Sequence, residues 1–312
     1  MNKQERLLGG LYGLLVGDAL GVPYEFHDAR EIPPPEDIEM APPAGFRRAH
    51  PGVPAGTWSD DGAQALCLLE SLLVCGALRL EDFARRLSAW YEEGVWAVDG
   101  AVFDVGIQTG TALRAYRRGM PPELCGAVQP DGKGNGALMR VLPLALWHRG
   151  TDRELAEDAH RQCLVTHSHP CSQVCCALYC LAARGLLEGR DPGGAIAWAV
   201  EKLRGIYRDL PEYTQELEWS IRPDTPWEGT GSGYVVDTLR GAFMLLERSE
   251  SYEAAVRGAI ALGDDTDTTA CVAGGLAGLR FGVGGIPERW LAALRGRESV
   301  ENLAERAWGP AE

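Results

Sequence analysis

Gly263-Asp264-Asp265-Thr266-Asp267-Thr268-Thr269-Ala270 puts three carboxylates and three hydroxyls directly ahead of the apolar, small-residue run Cys271–Leu279. Like charges this close repel one another unless solvent, hydrogen-bond donors or a cation compensates them. The run that follows reads as a closely packed helix with Asp or Thr at its start, so bulk solvent is a poor candidate. A helix N-cap with acidic residues near the positive end of the helix dipole accounts for one or two of the oxygens, not for six. An EF-hand does not fit: counting from Asp265, the sixth position is Ala270 rather than Gly and the twelfth is Leu276 rather than Glu. Hard-cation ligands in another geometry, at the start of a helix, remain.

Working outward, Gly56-Thr57-Trp58-Ser59-Asp60-Asp61-Gly62 repeats the arrangement ahead of a helical pattern over Ala63–Val74. Capping again explains one group and leaves the others in excess. Two such helix starts facing each other could hold a pair of Mg2+ or Mn2+ ions through carboxylate and hydroxyl oxygens. About two thirds of the chain separates them, and a cut between them would divide the site. The expectation is therefore one domain over 1–312, although cores of this size tend to split.

The segments between carry weaker signals. Residues 5 to 20 have apolar side chains at helical spacing with Gly9, Gly10, Gly13 and Gly17 among them, which predicts a buried helix packed too closely for side chains. Pro23 ends it and leaves Glu25 on a loop, where a lone Glu is ordinarily solvated. Seven prolines between Ile32 and Ala55 make a stiff loop that lines a site or is disordered. Asp104, on a Gly-bounded turn before a helix at Thr111–Arg118, reads on its own as a cap or turn residue. Gly132 to Arg140, with Gly134, Asn135 and Gly136 at its centre, suits phosphate through backbone donors, and suits an ordinary entry into the helix Val141–Trp147 equally well. His167 and His169 lie near Cys171, Cys175, Cys176 and Cys180, but those cysteines fall on one helical run rather than in Cys-x-x-Cys turns. A packed helix is the better reading than zinc, and His167 suits a hydrogen bond to a phosphate or sugar. Tyr234 leaves the glycine loop Gly229–Gly233 and could stack on a flat ring or anchor the core.

Further helices are expected at 81–98, 153–163, 177–188, 193–205, Val235–Glu247 and Ala254–Leu262 and in the amphipathic tail from Pro287, with 207–232 irregular. Strand alternation is scarce, and the fold class is all-α. With 44 acidic against 30 basic residues, the net charge of -14 argues against a general nucleic-acid binder. Nine cysteines in no spaced framework suggest a reducing compartment. Lys3 and Arg6 before Leu7–Val16 look like a signal peptide in outline, but the run is short and Gly-broken, and it is expected to be retained. No uninterrupted apolar run nears the roughly 20 residues of a membrane span. A cytoplasmic monomer with no membrane partner is expected.

Taken in order, Gly17-Asp18-Ala19-Leu20-Gly21 with Glu25, Trp58-Ser59-Asp60-Asp61, Gly134-Asn135-Gly136 with Met139-Arg140, Thr166-His167-Ser168-His169-Pro170, and Gly263-Asp264-Asp265-Thr266-Asp267-Thr268 resemble the ADP-ribosylglycohydrolase family over almost the whole chain. The resemblance implies an orthogonal multi-helix bundle with two Mg2+ or Mn2+ ions in a central cleft. By motif position, Ser59, Asp60, Asp61, Asp265, Asp267 and Thr268 would be the metal ligands. Glu25, Asp60 and Asp61 would be the candidates for managing the proton, with Glu25 beside the metals. Gly134, Asn135, Gly136 and His167 would bind the phosphates and distal ribose, and Tyr234 would stack near the adenine. Asp104 lies where arginine-directed members carry an acidic residue that receives the guanidinium. The sequence departs from the family in having Ser59 where Thr is common and Ser168 where Gly is frequent. The implied activity is hydrolytic removal of ADP-ribose from a modified protein, with arginine the first choice. Serine-linked, nucleic-acid-linked or small-molecule ADP-ribose, and a silent ADP-ribose binder, are the alternatives.

Overall fold

The structure, a computed structural model, describes residues 1–309. Among them are fourteen α-helices and no strand, the one β-type pairing being an isolated antiparallel bridge between Gly134 and Tyr234. The all-α expectation is borne out. In order the helices are α1 Lys3–Gly21, α2 Asp60–Cys75, α3 Leu80–Glu93, α4 Ile107–Arg117, α5 Leu142–Trp147, α6 Asp152–Cys163 and α7 Pro170–Leu187. They continue as α8 Pro192–Ile206, α9 Pro211–Gln215, α10 Val235–Arg248, α11 Tyr252–Ile260, α12 Thr266–Phe281, α13 Glu288–Ala293 and α14 Arg297–Trp308.

Most boundaries follow local chemistry. Asn2 and Thr151 close capping boxes with Glu5 and Glu154 at the starts of α1 and α6. The helix expected to reach 98 ends at Glu93, because Gly94 takes a left-handed conformation (φ 70°) at its C-terminus. Helix α7 begins earlier than its apolar run, at Pro170, with the His169 side chain accepting from the Cys171 N–H. The stretch 207–232, expected to be irregular, contains α9 and a π-helical turn over Glu216–Ile221. Each piece is too short for a periodic pattern to stand out, and only Leu217 and Ile221 are buried there.

The chain divides into two compact units. The first comprises Met1–Gly62, Glu228–Gly233 and the chain from Asp237 onward, and the second comprises Ala63–Trp227 and Tyr234–Val236. The first is built on the antiparallel pair α1 and α12. A Cβ at Gly9, Gly13 or Gly17 would lie 2.3, 2.4 or 2.1 Å from the carbonyl oxygens of Gly278, Gly274 and Ala270. One at Gly21 would lie 2.4 Å from the Asp267 Cα. The four-residue spacing of these glycines clears one face of α1, so the two backbones touch along its length. Tyr252 of α11 donates to the Gly13 carbonyl (2.7 Å) and Thr266 donates to the Gly21 carbonyl (2.9 Å), which fixes the register at both levels. The close packing expected of residues 5 to 20 is present.

The core of the second unit is α7, packed against α5, α6 and α8. Cys171, Cys175, Cys176 and Cys180 are all buried on it, and all nine cysteines are free thiols. The four on α7 serve as small core residues, as expected of a packed helix. By mean hydropathy two segments, Lys3–Tyr24 and Pro170–Leu187, are long and apolar enough to cross a membrane. Of their apolar windows, 94% and 83% are buried inside the protein, as core helices would be.

Candidate functional site

In the first unit the residues at issue gather where α1 ends and α2 and α12 begin. Asp18 is fully buried on α1. Its carboxylate accepts from the Ser59 N–H (2.9 and 3.1 Å) and the Gly62 N–H (2.8 Å). It thus satisfies backbone donors at the start of α2 that a side chain of the helix itself would otherwise satisfy. The Ser59 hydroxyl takes the Asp61 N–H (3.3 Å). Asp18 and Ser59 take these N–H groups, and the side chains of Asp60 and Asp61 are buried beside them.

The start of α12 tells the same story. Asp265 occupies the N-cap position, yet its side chain makes no capping hydrogen bond. Asp267 is fully buried and accepts from the N–H of Thr268 (2.9 Å). The Thr268 hydroxyl donates to Asp61 Oδ1 (3.4 Å), so the two acidic helix starts meet at a side-chain bond. Asp264 differs from its neighbours: it is exposed, with a left-handed backbone (φ 56°). Its N–H donates to the His27 carbonyl (2.7 Å), and its carbonyl accepts from Phe26 (2.8 Å). These main-chain bonds hold the loop that carries Glu25.

Glu25 is 4% exposed, contrary to the ordinary fate of a lone loop Glu. His50, from the proline-rich loop, reaches its Oε2 through Nε2 at 2.6 Å. The two border a groove of about 640 Å³ that also takes in Phe26, His27, Arg47 and Arg48. One oxygen from each of Glu25, Asp265 and Asp267 lies within 4.8 Å of the others, a group able to hold a metal ion. Ligand oxygens around a Mg2+ at ~2.1 Å stand about 3 to 4.2 Å apart, so little adjustment is needed, and an all-oxygen set suits a hard divalent cation. The negative field extends to Cys271, whose thiol is pushed well above its usual range by burial and then by Asp61 and Asp18.

The remaining candidate residues belong to the second unit. A Cβ on Gly136 would lie 2.7 Å from His167 Cε1, and one on Gly134 would lie 2.7 Å from Gln108 Oε1 and 3.4 Å from His167 Nε2. The Gly134–Gly136 turn and His167 are therefore brought together, with Asn135 buried between the glycines. The His167 ring is held neutral, its pKa pushed down to about 3 by burial and by the Arg140 charge. Tyr234 pairs its backbone with Gly134 and keeps 38% of its surface exposed. Asp104 is half-buried with a left-handed backbone (φ 55°), and the N-cap of α4 is Gly106.

Asp18 and Arg140 stand inside motifs of the family resemblance without a role assigned to them, and His50 stands in none. Asp18 had a visible signal, a carboxylate inside an otherwise apolar helix. His50 and Arg140 act through partners distant in sequence, which neither composition nor periodicity signals.

Clustered carboxylates at paired helix starts in an all-α protein make a group able to hold a hard cation. The chain matches the ADP-ribosylglycohydrolase family over residues 1–312 and belongs to that family. Among its relatives is ADP-ribosylarginine hydrolase Tri1 of Pseudomonas putida, 32% identical over 306 residues that cover 96% of this chain and 77% of the relative. ADP-ribosyl-dinitrogen reductase glycohydrolase of Rhodospirillum rubrum is 31% identical, with 93% of this chain and 90% of the relative covered. A solved structure described as an ADP-ribosylglycohydrolase-related protein complex superimposes with a TM-score of 0.80 at 33% identity, covering 98% of both chains.

Proposed function

We propose that this chain is a Mg2+- or Mn2+-dependent hydrolase that releases ADP-ribose from modified arginine side chains of proteins. The observation that carries the reading is the oxygen group of Glu25, Asp265 and Asp267, all within 4.8 Å of one another in largely buried surroundings. In this reading Ser59, Asp60, Asp61, Asp265, Asp267 and Thr268 hold two ions. When bound, such ions polarise the ribose hydroxyls and make a water more acidic. Glu25, oriented by His50, takes the water proton as the water oxygen bonds to ribose C1. The C1–N bond breaks, and its electron pair stays on the guanidine nitrogen, which takes up the proton. Positive charge on the sugar ring is stabilised by the surrounding carboxylates.

His167 and the Gly134–Gly136 turn are assigned the phosphates and distal ribose, Tyr234 the adenine face and Asp104 the guanidinium, each on its chemistry. The name of the Rhodospirillum relative supports a protein-linked substrate, and that of the Pseudomonas relative supports arginine. Free thiols throughout support a reducing, cytoplasmic setting.

The test is chromatographic detection of ADP-ribose released from ADP-ribosyl-arginine protein in Mg2+, with and without chelator. Release that chelation abolishes is expected, and no release in Mg2+ overturns the arginine reading. Asp104→Ala is expected to slow turnover of that substrate. Unchanged turnover would favour a serine-linked, nucleic-acid-linked or small-molecule substrate.

A further inference from the structure

Arg140 is fully buried in the second unit, next to the Gly134–Gly136 turn in sequence. Its guanidinium donates to Gln64 Oε1 (2.7 Å), Gln162 Oε1 (3.2 Å) and the Gln162 carbonyl (3.3 Å), and lies over the Phe83 ring. It also donates through Nη2 to Thr166 Oγ1 at 2.7 Å. A guanidinium has no acceptor, so at this bond the Thr166 hydroxyl accepts.

Thr166 is fully buried, and His167 Nδ1 lies 2.8 Å from the same hydroxyl. Among the described residues, these two side chains are the ones that bond it. A buried hydroxyl proton with no acceptor is costly, and Arg140 offers none, so the proton goes to His167 Nδ1. A neutral imidazole that accepts at Nδ1 carries its own proton at Nε2. That nitrogen faces the glycine turn: a Cβ on Gly136 would meet it at 3.0 Å.

We propose that Arg140 and Thr166 form a relay that locks His167 in the Nε2–H form, so that His167 offers a ligand beside the Gly134–Gly136 turn a neutral donor and never an acceptor. Arg140 and Thr166 are positioning residues in this arrangement. The relay selects for a ligand oxygen, such as that of a phosphate, over a donor group at the same point. The identity of the ligand as ADP-ribose rests on the proposed function, whereas the tautomer does not.

The experiment is long-range 15N–1H correlation NMR on the full chain with 15N-labelled histidine rings, His167 being assigned by the signal lost in His167→Ala. The wild type should show the Nε2–H pattern. Thr166→Val should shift it toward Nδ1–H and weaken ADP-ribose binding, measured by calorimetry, roughly tenfold. Thr166→Ser, which keeps the hydroxyl, should restore both. An Nδ1–H or doubly protonated pattern in the wild type overturns the relay. So does a Thr166→Val protein with unchanged pattern and affinity. Should ADP-ribose fail to bind the wild type, the proposed function fails and the NMR pattern still decides the relay.

Discussion

The carboxylate cluster of the first unit and the His167 region of the second solve opposite electrostatic problems with similar local material. At the ends of α1, α2 and α12, the burial of Asp18, Glu25, Asp60, Asp61 and Asp267 concentrates negative charge. The donors fixed on Asp18 are backbone N–H groups at a helix start, which orient a carboxylate without neutralising it. Around His167 the charge is built in: Arg140 is buried, surrounded by neutral amide and hydroxyl oxygens, and set behind a neutral imidazole. In the proposed reading the first region takes its cation from solution, while the second has its own in Arg140 and offers a ligand only a donor.

The sharpest way to break this comparison is to remove charge from the first region. Asp267→Asn preserves shape and the Thr268 N–H bond while removing a buried charge from the group with Glu25 and Asp265. Mn2+ affinity, read by calorimetry or electron paramagnetic resonance, should fall by about 100-fold or more. A variant that binds Mn2+ as the wild type does would mean that the carboxylates are compensated by the protein itself.

A smaller change should follow in the second region. His167→Ala removes a donor whose ring is neutral over the whole working range, its pKa being near 3. ADP-ribose affinity should drop by roughly tenfold, with Mn2+ affinity unchanged, both read by calorimetry. Loss of both affinities together would show that the two regions are not separable in the way their chemistry suggests.

The two regions also differed in how far they could be read from sequence. Acidic residues crowded before an apolar helix violate ordinary solvation logic within a few positions, so Asp60, Asp61, Asp265 and Asp267 stood out. The glycines of α1 stood out for the same reason, since their spacing and the apolar residues between them are local. Asp18, His50 and Arg140 are bound to partners 41, 25 and 22 to 76 positions away, and no periodicity or motif chemistry encodes such pairings. Asp104 reads as a turn residue from its glycine neighbours, and its left-handed backbone agrees. The short helical turns over 211–221 were lost among proline, tryptophan and polar residues.

The least effect is expected at Asp264, although it stands beside Asp265 in the stretch that carries most of the acidic signal. Its side chain is exposed, and its contribution runs through the main chain, which receives Phe26 and reaches His27 on the loop bearing Glu25. Asn tolerates the left-handed conformation as well as Asp does, so Asp264→Asn leaves that backbone bridge in place. Removing an exposed charge changes little, so Mn2+ affinity should stay within about twofold of the wild type. Asp264→Val is the contrasting variant, because a β-branched residue is strained at φ 56° and would loosen the Glu25 loop without touching a carboxylate of the cluster. If Asp264→Asn instead lowered Mn2+ affinity as much as Asp267→Asn, the charge at 264 would belong to the ion site, and the boundary between the buried cluster and its exposed turn would have to move by one residue.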